Sequence, residues 1–135
     1  MNDKVKPVIV VADDDRDICE LIKMQLARHG FEVFITDNGE TAMDLIVEHK
    51  PAVALLDIMM PKLSGLEVAR QIRDNPTLST VNIMLISARS SGRIEADLDD
   101  LNINDYITKP FSPQELVQRI NNVINKQSTK NPTQL

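Results

Sequence analysis

The sequence predicts a doubly wound α/β fold built on a five-stranded parallel sheet. Three observations carry that prediction. Short apolar, β-branched runs stop abruptly at polar residues, stretches with helical apolar spacing lie between them, and the alternation repeats along the chain. At 135 residues the chain is long enough to bury one core without disulfide or metal staples. We expect a folded domain over residues 1–126 and a polar tail, or the start of a linker, over 127–135.

The first strand is Val8 to Ala12, ended by Asp13-Asp14-Asp15 as a buried parallel strand ends at a sheet's C-terminal edge. From Arg16 to His29, Ile18, Leu21, Ile22 and Leu26 follow helical spacing. Asp14 or Asp15 can cap the start of that helix, and Gly30 suits its stop. Next come a strand from Glu32 to Thr36, a turn at Asn38-Gly39, a helix from Glu40 to His49, and a buried strand from Val53 to Leu56 ending at Asp57. A strand from Ile83 to Ile86 ends at Ser87, a weaker helix lies within Gly92 to Leu101, and a short strand from Tyr106 to Thr108 ends at Lys109-Pro110. Ser112-Pro113-Gln114-Glu115 reads as a capping box with Pro at the first helical position, opening a helix with Leu116, Ile120, Val123 and Ile124 on one face. Five strands alternating with five helices imply right-handed crossovers and helices on both faces, and a flavodoxin-like order 2-1-3-4-5 is expected.

Composition narrows the function. A net charge of −5 argues against direct nucleic-acid binding, which needs a basic face. No apolar run approaches a membrane span, and Met1 to Pro7 lack the apolar stretch of a signal peptide, so a cytoplasmic location with no membrane partner is expected. The single cysteine, Cys19, reads as a packing thiol. The methionines have no Cys or His beside them and read as packing residues, and His29 and His49 read as side chains at helix C-termini.

Sheets of this kind bind ligands outside the carboxyl ends of their strands. Those ends carry Asp13, Asp14 and Asp15, then Asp57, Ser87 and Lys109. Gathered carboxylates repel unless a cation sits among them, and hard oxygen ligands with places left for water suit Mg²⁺, with Mn²⁺ as the alternative. A lysine ammonium and a serine hydroxyl suit phosphoryl oxygens. A carboxylate flanked by a metal and an ammonium can attack phosphorus, because phosphoryl transfer needs mainly positioning and charge neutralisation. Asp57 is the expected nucleophile. Taken singly, the three acids would read as a solvated turn and cap, and Ser87 or Lys109 as solvated strand ends; their joint placement decides the reading.

The chain resembles the receiver domain of bacterial two-component response regulators, of the chemotaxis-regulator type, over Lys4 to Asn125. Four segments carry the resemblance: Val10-Val11-Ala12-Asp13-Asp14-Asp15, Leu56-Asp57-Ile58-Met59-Met60-Pro61-Lys62-Leu63-Ser64-Gly65, Met84-Leu85-Ile86-Ser87-Ala88 and Asp105-Tyr106-Ile107-Thr108-Lys109-Pro110-Phe111. The resemblance implies that Asp13, Asp14, Asp57 and the Met59 backbone carbonyl hold Mg²⁺. It implies that Asp57 takes a phosphoryl group from a histidine kinase or phosphotransfer protein, and that Lys109 and Ser87 contact the phosphoryl oxygens. Tyr106 is then an aromatic switch, Lys109-Pro110 a cis peptide, and the readout a downstream effector protein or domain. Self-phosphorylation and slow hydrolysis are the only chemistry implied, so the chain is not expected to be an enzyme. A monomer or a phosphorylation-dependent dimer is expected.

The chain departs from the family where a small-residue and Gly turn usually precedes the last strand. It reads Asp99-Asp100-Leu101-Asn102-Ile103-Asn104 there, with Asn102 as the substitute for Gly in a left-handed conformation. Asn104 replaces an acid common in regulators that dimerise through the adjoining face, and Met59 and Arg89 fall at positions that tune phosphoryl lifetime. The rival readings are a pseudo-receiver that binds partners without phosphate, a haloacid-dehalogenase-type phosphatase, and a nucleotide or flavin domain. The phosphatase needs an Asp where Met59 stands, and the nucleotide domain needs a Gly- or Ser/Thr-rich loop where Asp13 to Arg16 stand.

Overall fold

The computed structural model describes residues 6–88 and 100–128, with side chains through residue 126. Arg89, most of the expected helix within Gly92 to Leu101, and residues 129–135 lie outside the described residues. Five strands, β1 (Val8–Ala12), β2 (Glu32–Thr36), β3 (Val53–Asp57), β4 (Asn82–Ser87) and β5 (Asp105–Thr108), form one sheet. All pairings are parallel and the order is β2-β1-β3-β4-β5, as expected. The helices among the described residues are α1 (Arg16–Arg28), α2 (Gly39–His49), α3 (Gly65–Arg73) and α4 (Pro113–Ser128), with a 3₁₀ turn over Pro76–Leu78.

Period-two alternation within the buried strands divides the core into two layers. Ile9, Val11, Leu55 and Ile86 face α1 and α4, where Ile22, Leu26, Leu116 and Ile120 meet them. Val10, Ala12, Leu56 and Leu85 face the other side, covered by Ile46, Val68, Ile72 and Leu78. Because β1 and β3 are buried on both faces, their sequences are continuously apolar, and the first polar residue marks the sheet edge.

Local chemistry sets the element ends. Asp15, rather than Asp14, caps α1, its Oδ1 accepting from the amides of Asp17 (3.1 Å) and Ile18 (3.2 Å). Gly30 follows the α1 C-cap at φ +90°. Asn38 caps α2 through Thr41 N–H at 2.9 Å, so Gly39 belongs to the helix rather than to a turn. The helix between β3 and β4, which the sequence reading does not delimit, begins with a complete capping box. Ser64 Oγ accepts from Glu67 N, and Glu67 Oε1 accepts from Ser64 N. The Ser64-x-x-Glu67 spacing was the available signal. At α4, Ser112 Oγ accepts from Glu115 N at 3.0 Å. That helix runs through Ser128, two residues past the expected end of the folded domain at residue 126.

Arg73 straps the turn before β5 to the body of the fold. Its guanidinium donates to the carbonyls of Val81 (2.9 Å), Leu101 (3.0 Å) and Asn102 (3.0 Å). Asn102 takes the left-handed conformation at φ 52°, as expected of the Gly substitute. Asn104 extends the β4–β5 ladder: its amide donates to Ile83 O at 2.9 Å and its Oδ1 accepts from Ile83 N at 2.8 Å.

Gly65 opens α3 directly beneath the Asp57 backbone, and a Cβ there would collide with the Asp57 carbonyl oxygen. Helix propensity alone would favour alanine by about 1 kcal/mol, so a net destabilisation of Gly65→Ala isolates the clash. We expect a loss of about 2 kcal/mol in urea unfolding; unchanged stability would contradict the close approach.

Candidate functional site

The sheet's C-terminal edge brings three carboxylates together. Asp13 follows β1 and is fully buried, Asp57 ends β3 and is buried, and Asp14 is exposed. One carboxylate oxygen from each lies within 4.8 Å of the others. The adjacency of β1 and β3, with Ala12 opposite Leu56, places the two strand ends side by side.

Lys109, one residue past β5, reaches across to both buried acids. Its Nζ is 3.0 Å from Asp13 Oδ2 and 3.3 Å from Asp57 Oδ2. The Lys109 amide is held at Ser87 O (2.8 Å), and the Lys109-Pro110 peptide is cis. Ser87 is buried at the end of β4, with Thr108 opposite it. Tyr106 pairs with Leu85, two residues further into the sheet, and its half-buried ring packs in the layer that contains Leu85. The structure therefore gathers Asp13, Asp14, Asp57 and Lys109 directly, with Ser87 at the same edge and Tyr106 behind it.

The loop after β3 is held from several sides. The Met59 amide donates to Asp57 Oδ1 at 3.1 Å while the Met59 side chain stands 72% exposed. Ile58 N donates to Ile86 O, and Gly65 N to Ile58 O, each at 3.0 Å. These bonds carry the Met59 backbone past the acids.

Burial pushes the Asp57 carboxyl up to about 6; the Met59 amide and Lys109 oppose that shift, and the charge of Asp13 adds to it. Burial works against the Lys109 ammonium, but hydrogen bonding and charge attraction to Asp13, and then to Asp57, outweigh it, so its pKa is raised. Three carboxylates against one ammonium leave two excess negative charges, which suits a divalent cation. Asp13 Oδ2 is buried with no aligned hydrogen-bond donor, although the ammonium stands 3.0 Å away. A buried oxygen in that condition is a natural ligand atom, and the all-oxygen donor set fits Mg²⁺.

Residues 9–121 match the family described as "Response regulator receiver domain". The chain belongs to that family. Among solved structures, it is 32% identical to a DNA-binding response regulator of the LuxR family from Staphylococcus aureus, covering 88% of this chain and 99% of that one with a TM-score of 0.81. It is 30% identical to a Francisella response regulator receiver domain, covering 90% and 98%, TM-score 0.81. The receiver domain of a signal transduction histidine kinase from Syntrophus aciditrophicus shares the fold at 22% identity, covering 96% and 98%, TM-score 0.81. Receiver domains are signalling switches of two-component systems that act with histidine kinases and effectors, and they typically bind a divalent metal. No helix among the described residues is long and apolar enough to cross a membrane.

The remaining candidates are structural. Cys19 is buried, as a packing thiol would be; its thiol donates to Asp13 O at 3.2 Å, and burial pushes its pKa up to about 11. His29 Nδ1 lies 3.0 Å from Gln25 O near the end of α1, and His49 stacks on Phe34 with ring centroids 4.0 Å apart. Sequence reasoning missed Arg73, Gly65 and Arg119, whose roles depend on distant carbonyl groups or close backbone approach.

A raised Asp57 pKa means that, between about pH 4 and 6, the folded protein holds a proton the unfolded chain has released. Stability from this group is complete below pH 4 and is lost as pH rises through 6. Without divalent metal, Asp57→Asn should therefore exceed wild type in stability at pH 7.5 by about 1 kcal/mol. That gain should shrink towards pH 4. Denaturant titrations at the two pH values check this, and a pH-independent difference would refute it. Asp14→Ala should weaken Mg²⁺ binding about tenfold or more, read by calorimetric titration; unchanged affinity would leave the acid a solvated side chain.

Proposed function

We propose that Asp57 accepts a phosphoryl group from a phosphohistidine on a sensor kinase or phosphotransfer protein, and that the modified domain signals to an effector. The observation that carries this reading is the Lys109 ammonium held 3.3 Å from a buried Asp57 carboxylate that also lies within the three-acid cluster. An Asp57 oxygen forms a bond to phosphorus as the phosphorus–nitrogen bond breaks, and the imidazole leaves with the bonding pair. Asp13, Asp14, Asp57 and the Met59 carbonyl hold Mg²⁺ or Mn²⁺. When bound, the ion neutralises charge on the acids and the phosphoryl oxygens.

Lys109 pairs with a phosphoryl oxygen, for which its position between two carboxylates already suits it. The Ser87 hydroxyl donates to a second oxygen, and the Tyr106 ring turns inward behind it. The phosphoryl group thereby biases an equilibrium between two packings of the β4–β5 edge through local contacts. The phosphoacceptor reading is supported over the pseudo-receiver by three acids within 4.8 Å of one another and an ammonium that reaches two of them.

Intact mass after incubation with acetyl phosphate should show one phosphoryl adduct that requires Mg²⁺ and is absent from Asp57→Asn. Labelling of Asp57→Asn at the wild-type level would reject Asp57 as the acceptor. No adduct on a folded, Mg²⁺-binding wild type, even with a phosphorylated histidine donor, would favour the pseudo-receiver.

A further inference from the structure

β5 is an edge strand, and Tyr106 turns its backbone N–H and C=O away from β4. Both groups are held. The Tyr106 amide donates to Asp105 Oδ1 at 2.8 Å, and the Tyr106 carbonyl accepts from Arg119 Nη1, also at 2.8 Å. The same Nη1 lies 2.9 Å from Asp105 Oδ1, which closes a ring of three contacts around one residue's backbone. Glu115 Oε2, one turn earlier on α4, accepts from Arg119 Nε at 3.3 Å through a nitrogen that makes neither of the Tyr106 and Asp105 contacts.

The ring of contacts sits on the opposite side of the sheet from the aromatic ring. Ile107, the neighbour of Tyr106, belongs to the layer of Leu116 and Ile120 on the α4 side, whereas Tyr106 packs against the opposite layer, which contains Leu85 and Leu101. Water at an open edge would satisfy the same backbone groups without fixing their position; a partly buried ion pair fixes them. Tyr106 also precedes Lys109 by three residues on the same short segment, so displacement of its backbone would carry the ammonium with it.

We propose that Arg119 is a positioning residue for Tyr106: by holding that backbone from the far face of the sheet, it confines the segment's response to rotation of the ring and keeps Lys109 in the site. This rests on the proposed phosphoacceptor role of Asp57 and the switching role of Tyr106. A packed element changes state reliably when it turns about a fixed pivot, because the surrounding core does not deform continuously.

Tyr106 is the sole tyrosine and the chain has no tryptophan, so intrinsic fluorescence reports on this residue alone. In the whole chain without phosphodonor, Arg119→Met should raise the acrylamide quenching constant of Tyr106 at least about twofold. With acetyl phosphate and Mg²⁺ it should still form the adduct, while the fluorescence change per adduct falls below about half of wild type. Arg119→Lys should recover part of both signals, and Glu115→Gln, which leaves the contacts to Tyr106 in place, should match wild type. Wild-type quenching and wild-type fluorescence change in a folded Arg119→Met would overturn the proposal. If Arg119→Met does not fold, Arg119→Lys carries the same comparison, and wild-type values there count against the proposal. Failure of the wild type itself to form an adduct would refute the phosphoacceptor reading, while the quenching comparison still decides whether Arg119 holds Tyr106.

Discussion

The structure depends on a charge imbalance at one end of its sheet. Two buried carboxylates, Asp13 and Asp57, share the ammonium of Lys109, with Asp14 beside them in solvent. Buried charges of like sign are costly, and a single counter-ion does not neutralise them. The raised pKa of Asp57 is one expression of that cost. The fold sustains the arrangement because two double-sided apolar layers hold β1 and β3 side by side, which leaves the acids at the edge little freedom to separate.

The surroundings of the cluster are organised to keep its parts in register. The loop after β3 is drawn down by Gly65 beneath Asp57 and by backbone bonds from Ile58 and Gly65, so the Met59 amide points at the carboxylate. On the other flank, Arg73 ties two carbonyls of the turn before β5 to that of Val81, just before β4, and Asn104 lengthens the ladder into β5. The guanidinium suits this work because several planar donors can satisfy several carbonyls at once. Arg119 does comparable work at the middle of β5 from α4. The short strand that delivers Lys109 is thus tied at its beginning and its centre by arginines from two different helices.

The division of labour among the three successive acids shows how position assigns role. Asp13 and Asp14 contribute oxygens to the cluster, whereas Asp15 turns back to cap α1. The run therefore divides between a helix cap and an acidic cluster, with different residues in each. The same holds for Cys19, whose buried thiol donates to the Asp13 backbone and supports the acid without joining it. Its high pKa fits a packing role.

The sequence by itself determined the fold class, the strand order and the identity of the residues at the strand ends. Strand ends are legible because a fully buried strand must be apolar to its last residue, so the first polar side chain reports the edge. Capping is legible for a similar reason at Ser112, whose hydroxyl accepts from an amide three residues away. Tertiary structure alone decided which of Asp14 and Asp15 caps α1, that Lys109 lies between Asp13 and Asp57, and that Gly65 is pressed against Asp57. It also revealed Arg73 and Arg119, whose partners are backbone carbonyls up to 29 residues away in sequence. Every residue presents the same carbonyl, so sequence leaves no mark on the acceptor, and only the folded chain shows which one a guanidinium reaches.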